Sequence, residues 1–64
     1  MKVYVVETYG NSVEAVFDSF EKANKYLVEE YELIMRDEYS DAYGYVDTMN
    51  APDPIAWVTI CEVE

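Results

Sequence analysis

A chain of 64 residues can build only one small hydrophobic core, and this limits what it can fold into. Such a core contributes roughly 3–5 kcal/mol to stability when nothing else supports it. Small domains usually add disulfides, a metal ion or self-association. The chain has one cysteine, Cys61, and no histidine, so it can form no internal disulfide and lacks the ligands of a Cys/His zinc site. We therefore expect a single domain over residues 1–64 that gains stability as a homodimer.

The order of apolar and polar residues predicts two strands, a helix and a final strand. Lys2 to Tyr9 and Val13 to Phe17 alternate as strands do, and the turn residues at 10–12 join them into a hairpin. Spacings of three and four predict a helix from Phe20 to about Glu38. Alternation returns between Ile55 and Val63, which predicts the last strand.

The predicted helix has a recognisable start and an apolar stripe. Asp18 or Ser19 can cap its first N–H groups, and Glu21 has the spacing of a capping box. The stripe that would face the core is Phe20, Ala23, Leu27, Tyr31 and Ile34. The segment from Tyr39 to Pro54 is rich in turn residues and is expected to be a long loop, within which 43–46 is either a short strand or a packed turn.

Topology rules assemble these elements into an α+β domain of the ββαβ type. A right-handed crossover from the second strand to the third leaves the place between them to the first strand. The expected sheet is therefore three-stranded and antiparallel, in the order 2-1-3, with one helix packed on one face. The last strand would lie at an edge, where it could pair with a second copy of the chain.

The charge balance excludes several partners. Four basic residues stand against fourteen acidic ones, which gives a formal net charge of −10. Direct nucleic-acid binding requires basic patches, and anionic membranes repel such a chain. A partner protein with a basic surface would instead be attracted. The sequence shows no targeting segment and no apolar run of membrane-spanning length, so we expect a cytoplasmic protein.

No catalytic constellation is visible, and the sequence predicts neither an enzyme nor a cofactor. Cys61 has no histidine to activate it and lies in an apolar strand, where burial makes a thiol inert. The two glycines, Gly10 and Gly44, form no phosphate-binding motif. The acidic residues lack the spacing of an EF-hand, so no metal site is predicted.

Two segments resemble small, uncharacterised bacteriophage proteins. These are residues 2–6, Lys-Val-Tyr-Val-Val, and residues 16–23, Val-Phe-Asp-Ser-Phe-Glu-Lys-Ala; the closing strand 58–64 is also similar. The Tyr39–Pro54 segment lies outside that pattern. The resemblance supplies no catalytic residues and implies a phage accessory protein that blocks a host defence system or another host enzyme.

The leading hypothesis is a small acidic phage-type inhibitor that binds a host defence or nucleic-acid-processing protein. A row of carboxylates could imitate the phosphates of a duplex. Aromatic anchors would supply binding energy, and the acids would supply steering. The predicted partner-binding residues are Glu29, Glu30, Tyr31, Asp37, Glu38, Tyr39, Asp41, Tyr43, Tyr45 and Trp57. The alternative is an oligomeric binding module that sequesters a small ligand.

Overall fold

The computed structural model describes residues 1–8 and 12–63, so most of the predicted hairpin turn lies outside the described residues. Its strands are β1 (Lys2–Thr8), β2 (Ser12–Phe17), β3 (Ile34–Glu38), β4 (Ala42–Val46) and β5 (Ala56–Glu62). A helix, α1 (Phe20–Lys25), continues into a π-helical turn (Tyr26–Glu30). In the described part of the chain, no helix is long and apolar enough to cross a membrane.

The strands form one antiparallel sheet in the order β2-β1-β5-β4-β3. The prediction of a three-stranded sheet was wrong, because residues 34–38 and 42–46 add two strands. The last strand is consequently an inner strand, and the two edges are β2 and β3. The start of β1 lies beside the end of β5, where the Val63 N–H donates to the Met1 carbonyl at 2.6 Å.

The helix begins where its sequence predicts but ends early. The Ser19 hydroxyl caps it by accepting a hydrogen bond from the Lys22 N–H at 3.3 Å. Leu27 is the last stripe residue that is fully buried, whereas Tyr31 and Ile34 are 40% and 41% exposed. The apolar stripe that predicted a helix to Glu38 therefore stops contacting the core after Leu27, and the prediction was wrong.

A left-handed residue closes this helical end. Glu32 has a φ of 55°, and the Leu33 N–H turns back to donate to the Leu27 carbonyl at 3.2 Å. Helices often end in this way around a glycine, which adopts positive φ without strain. The reversal places Leu33 in the core, at 7% exposure, and directs the chain into β3.

Replacing Glu32 with glycine is expected to stabilise the protein by roughly 0.5–1 kcal/mol, because it relieves the left-handed strain of a side chain with a β-carbon. Urea denaturation followed by circular dichroism measures the change. The matched control is Glu30→Gly, which lies inside the helical segment and should destabilise by a similar amount. Equal effects of the two variants would contradict the assignment of Glu32 as the helix terminator.

The helix covers one face of the sheet, here called the helix face. Val6, Tyr45 and Val58 from three strands are fully buried against Ala23 and Leu27 of the helical segment. Partly buried aromatic residues surround this cluster: Tyr4, Phe17, Phe20, Tyr26 and Tyr43. Side chains of the helical segment and of the sheet therefore form a single core.

The opposite face of the sheet is here called the open face. The β4–β5 loop (residues 47–55) covers it on the side of β3 and β4. Pro54 packs over Gly44, where a β-carbon would lie 2.9 Å from its Cγ. The Arg36 side chain donates to the Ala51 carbonyl and so attaches the loop to β3. At the opposite edge of the sheet, Val16 of β2 is 55% exposed. The open face is thus divided into a covered part and an exposed apolar part.

Candidate functional site

The β3–β4 hairpin ends in a short acidic turn, here called the hairpin turn (residues 38–41). The Tyr39 N–H donates to the Ala42 carbonyl at 2.8 Å and closes it. Glu38 and Asp41 are exposed, and Tyr39 is 57% exposed. Two carboxylates and one aromatic ring within four consecutive residues are therefore exposed to solvent.

The hairpin turn is held in place by the neighbouring strand. The Tyr39 ring stacks on Trp57 of β5, with ring centroids 5.9 Å apart and an interplanar angle of 25°. The Asp41 carbonyl accepts a hydrogen bond from the Ile60 N–H at 2.8 Å. Both contacts reach β5, so the chain's own contacts hold the turn in place, and a turn held in this way loses less entropy on binding.

Asp37 belongs to a structural ion pair. Its carboxylate accepts from the Arg36 guanidinium, with Nε to Oδ1 at 3.1 Å and Nη2 to Oδ2 at 3.4 Å. Arg36 also donates to the Ala51 carbonyl, and both members of the pair are largely shielded from solvent. Asp37 was predicted to bind a partner, but in the structure its carboxylate is bound by Arg36 of the same chain.

A second group of predicted residues, Glu29, Glu30 and Tyr31, lies at the end of the π-helical turn. Glu29 and Glu30 line an open groove of about 280 Å³ whose floor includes Phe17 of β2. The groove also contains Lys22 and Lys25, the basic residues of α1. The two signs of charge offset each other there, so the groove is not a purely acidic surface.

Tyr31 takes part in a hydroxyl cluster. Its hydroxyl donates to the Glu14 carboxylate at 3.2 Å and lies 3.4 Å from the Tyr26 hydroxyl. The bond to Tyr26, followed by burial and the Glu14 charge, raises the pKa of Tyr31 to about 12. A β-bulge in β2 skips Glu14 in the pairing with β1, so its side chain turns toward Tyr31.

The two acidic groups lie toward opposite edges of the sheet. Glu29 and Glu30 share their groove with the edge strand β2, whereas the hairpin turn follows the other edge strand, β3. Four strand spacings separate these edges, which is about 19 Å. The predicted partner-binding residues therefore form two surfaces.

The remaining predicted tyrosines point into the core. Tyr43 packs on Phe20 with ring centroids 4.5 Å apart, and Tyr45 has no exposed surface. The Tyr45 hydroxyl donates to Asn24 Oδ1 at 2.6 Å. Tyr45 cannot contact a partner in the folded protein, so its predicted role as an anchor is corrected to that of a core residue. Tyr43 and Tyr45 are two residues apart, and in a strand this spacing places both side chains on the same face, so the sequence alone could have indicated their shared direction.

A cavity of about 390 Å³ lies where β1 and β4 end and β5 begins. Thr8, Tyr31, Leu33, Asp47, Ile55 and Ala56 line it. Sequence reasoning missed this cavity because its lining comes from segments far apart in the chain. Nothing local in the sequence brings these segments together.

The described residues contain no group of three or more metal-ligating side chains placed to hold an ion. Cys61 is a half-buried free thiol. Comparison with family models, curated proteins and solved structures found no match for this chain.

Proposed function

We propose that this protein is a small acidic inhibitor that binds the basic surface of a partner protein through its hairpin turn. One observation carries the proposal: the exposed Tyr39 ring is fixed on Trp57, with the exposed carboxylates of Glu38 and Asp41 on either side of it in sequence. Fixed aromatic rings beside charges are typical of binding hot spots.

A lysine or arginine of the partner would use both features of this surface. Its cation would lie on the Tyr39 ring, an interaction of about 0.5–2 kcal/mol that grows as water is excluded. The carboxylates would orient the encounter, and the net charge of −10 would speed it. Binding of this kind blocks a basic groove without any chemical step.

The resemblance of residues 2–6 and 16–23 to phage accessory proteins gives the proposal its context. The partner would be a host defence or nucleic-acid-processing protein in the cytoplasm, since proteins that handle nucleic acids carry basic surfaces. The hairpin turn would occupy such a surface in place of a phosphate group.

Two variants with equal changes in net charge and aromatic content test the proposed contact. The first replaces the hairpin turn as Glu38→Gln, Tyr39→Ala and Asp41→Asn. The control changes the other acidic group as Glu29→Gln, Glu30→Gln and Tyr31→Ala. Each loses two negative charges and one tyrosine, so a difference between them depends on position and not on net charge.

The hairpin-turn variant is expected to bind the partner at least about tenfold more weakly than wild type, and the control by less than about threefold. Each protein serves as bait in host lysate, captured proteins are quantified, and the affinity of the main one is then measured over a range of salt concentrations. Wild-type binding should weaken with salt. A partner retained equally by both variants would refute the hairpin turn as the contact.

Self-association, as in an oligomeric binding module, is a second candidate function, favoured by the edge strand β2. Its Val13 and Val16 side chains are 62% and 55% exposed. The single charge of the strand, on Glu14, is engaged by the Thr8 and Tyr31 hydroxyls. The other edge, β3, carries Arg36, Asp37 and Glu38, which discourage pairing with another chain.

Val16→Lys is expected to abolish dimers that the wild type forms at high concentration, because it places a charge on the β2 edge. Ile34→Lys, an equal change at the 41%-exposed position on the β3 edge, should leave them intact. Analytical ultracentrifugation measures both variants. Salt should strengthen self-association by screening like charges, the reverse of its effect on a basic partner. Monomeric wild type, or equal loss in both variants, would exclude this contact.

A further inference from the structure

The cavity at the end of the sheet has an apolar floor. Leu33 and Ala56, at 7% and 1% exposure, belong to the core, and Ile55 lies at the mouth with 37% exposure. At about 390 Å³ the space is within the range of small-ligand sites and exceeds the volume of a four-carbon chain. The floor therefore suits an aliphatic group.

The hydroxyl groups that line the cavity are already committed. The Thr8 hydroxyl donates to Glu14 Oε1 and the Tyr31 hydroxyl donates to Glu14 Oε2, each at 3.2 Å. These donors face a carboxylate of the protein itself, so they are not free to hold an anionic ligand. They also bring the charge of Glu14 next to the cavity.

Asp47 is the charged member of the lining. It follows β4 directly, is exposed, and forms no ion pair with the four basic side chains of the described residues. An apolar floor with a carboxylate at its rim and a second carboxylate behind its hydroxyls is complementary to a cation on an aliphatic stem.

We propose that this cavity binds an alkylammonium group, with the aliphatic stem on Leu33, Ile55 and Ala56 and the ammonium beside Asp47. The lysine side chain and free aliphatic amines share this chemistry. The cavity lies where β3 begins and β4 ends, whereas the hairpin turn joins their other ends. The inference therefore goes beyond the proposed function and does not depend on it.

The test is a titration of the isotope-labelled protein with n-butylammonium, followed by amide chemical shifts. Butylammonium should shift the amides of Leu33, Asp47 and Ala56 saturably. The neutral isostere 1-butanol should bind more weakly, and butyrate should not bind. Equal binding of butylammonium and butanol, or shifts spread over the acidic surface without saturation, would overturn the proposal.

Two single variants test whether the carboxylate of Asp47 is the one that binds the ammonium group. Asp47→Asn is expected to lower butylammonium affinity about two- to fivefold and to reduce the preference over butanol by the same factor. Asp53→Asn, in the same loop but outside the cavity lining, should change neither. An equal effect of both variants would mean that only the overall charge of the chain matters, which would refute the site.

A second titration distinguishes the source of the ammonium group. N-acetyl-lysine methylamide presents the side chain as a peptide would, with the backbone charges removed. Binding as tight as that of butylammonium supports a lysine side chain as the occupant, and binding of butylammonium alone supports a free amine. If neither compound shifts the cavity amides, the proposal fails.

Discussion

Tyr45→Ala is expected to leave most of the protein unfolded in the absence of denaturant. Tyr45 is the largest fully buried side chain in the described structure, and it contacts core residues from the helical segment and from neighbouring strands. Truncating a buried aromatic residue to alanine costs about 3–5 kcal/mol. A core of this size supplies roughly the same amount in total. Circular dichroism against urea measures the loss, and a folded variant with a near-native midpoint would contradict the core placement.

Tyr45→Phe is the matched control, because it keeps the ring and removes only the hydroxyl that donates to Asn24. It should fold and lose about 1 kcal/mol. The pair also has a pH signature. Burial raises the pKa of Tyr45 to about 12, while an unfolded tyrosine titrates near 10. The folded state therefore holds this proton more tightly, so stability present below pH 10 falls as pH rises from 10 to 12. Tyr45→Phe has no hydroxyl to ionise at this position, so it should lack the loss of stability between pH 10 and 12 that Tyr45 causes.

Gly44→Val is expected to destabilise the protein by roughly 2–3 kcal/mol and to displace the β4–β5 loop. A β-carbon at Gly44 would lie 2.9 Å from Pro54 Cγ and 3.1 Å from Asp37 Cβ, and neither neighbour is the end of a flexible chain. The loop must move away, which breaks the contact between Arg36 and Ala51. Urea denaturation gives the energy, and the amide shifts of residues 47–55 report the displacement.

Ala42→Val serves as the control for Gly44→Val. Ala42 is two residues earlier on the same face of β4 and is paired with Thr59, so the substitution also places a valine side chain on this face of the strand. It should change stability by less than about 1 kcal/mol. If Gly44→Val were equally mild, the packing of Pro54 on the sheet could not be what excludes a side chain at Gly44.

Alternation along the chain was enough to predict β1, β2 and β5, and capping residues were enough to predict where the helix begins. Alternation failed to predict β3, because a bulge interrupts the period of two in that strand. Met35 pairs with Tyr45 and Asp37 pairs with Gly44, so Arg36 is the extra residue. Because that period was absent, residues 34–38 were assigned to the predicted helix, whose apolar spacing of three and four extends to Ile34. Only pairing with β4, a long-range contact, decides its conformation.

The candidate site was predictable by residue type and not by arrangement. Tyr39 and Trp57 were chosen as aromatic anchors, and both lie on the open face. Their stacking joins residues from distant parts of the chain across β4, which no local pattern encodes. The same holds for Asp37, whose charge is neutralised by its neighbour Arg36 because the bulge places both beside the β4–β5 loop.

The pairing of β1 with β5 has a practical consequence for handling the protein. The Met1 amino group donates to the Val63 carbonyl at 3.1 Å, and the hairpin turn lies at this same end of the sheet, where Asp41 bonds to Ile60. An affinity tag on either terminus would therefore stand beside the surface proposed to bind a partner. A circular permutant that joins Glu64 to Met1 through a short linker and opens the chain at the exposed residues 48–50 would move both ends, and any tag, to the opposite end of the strands.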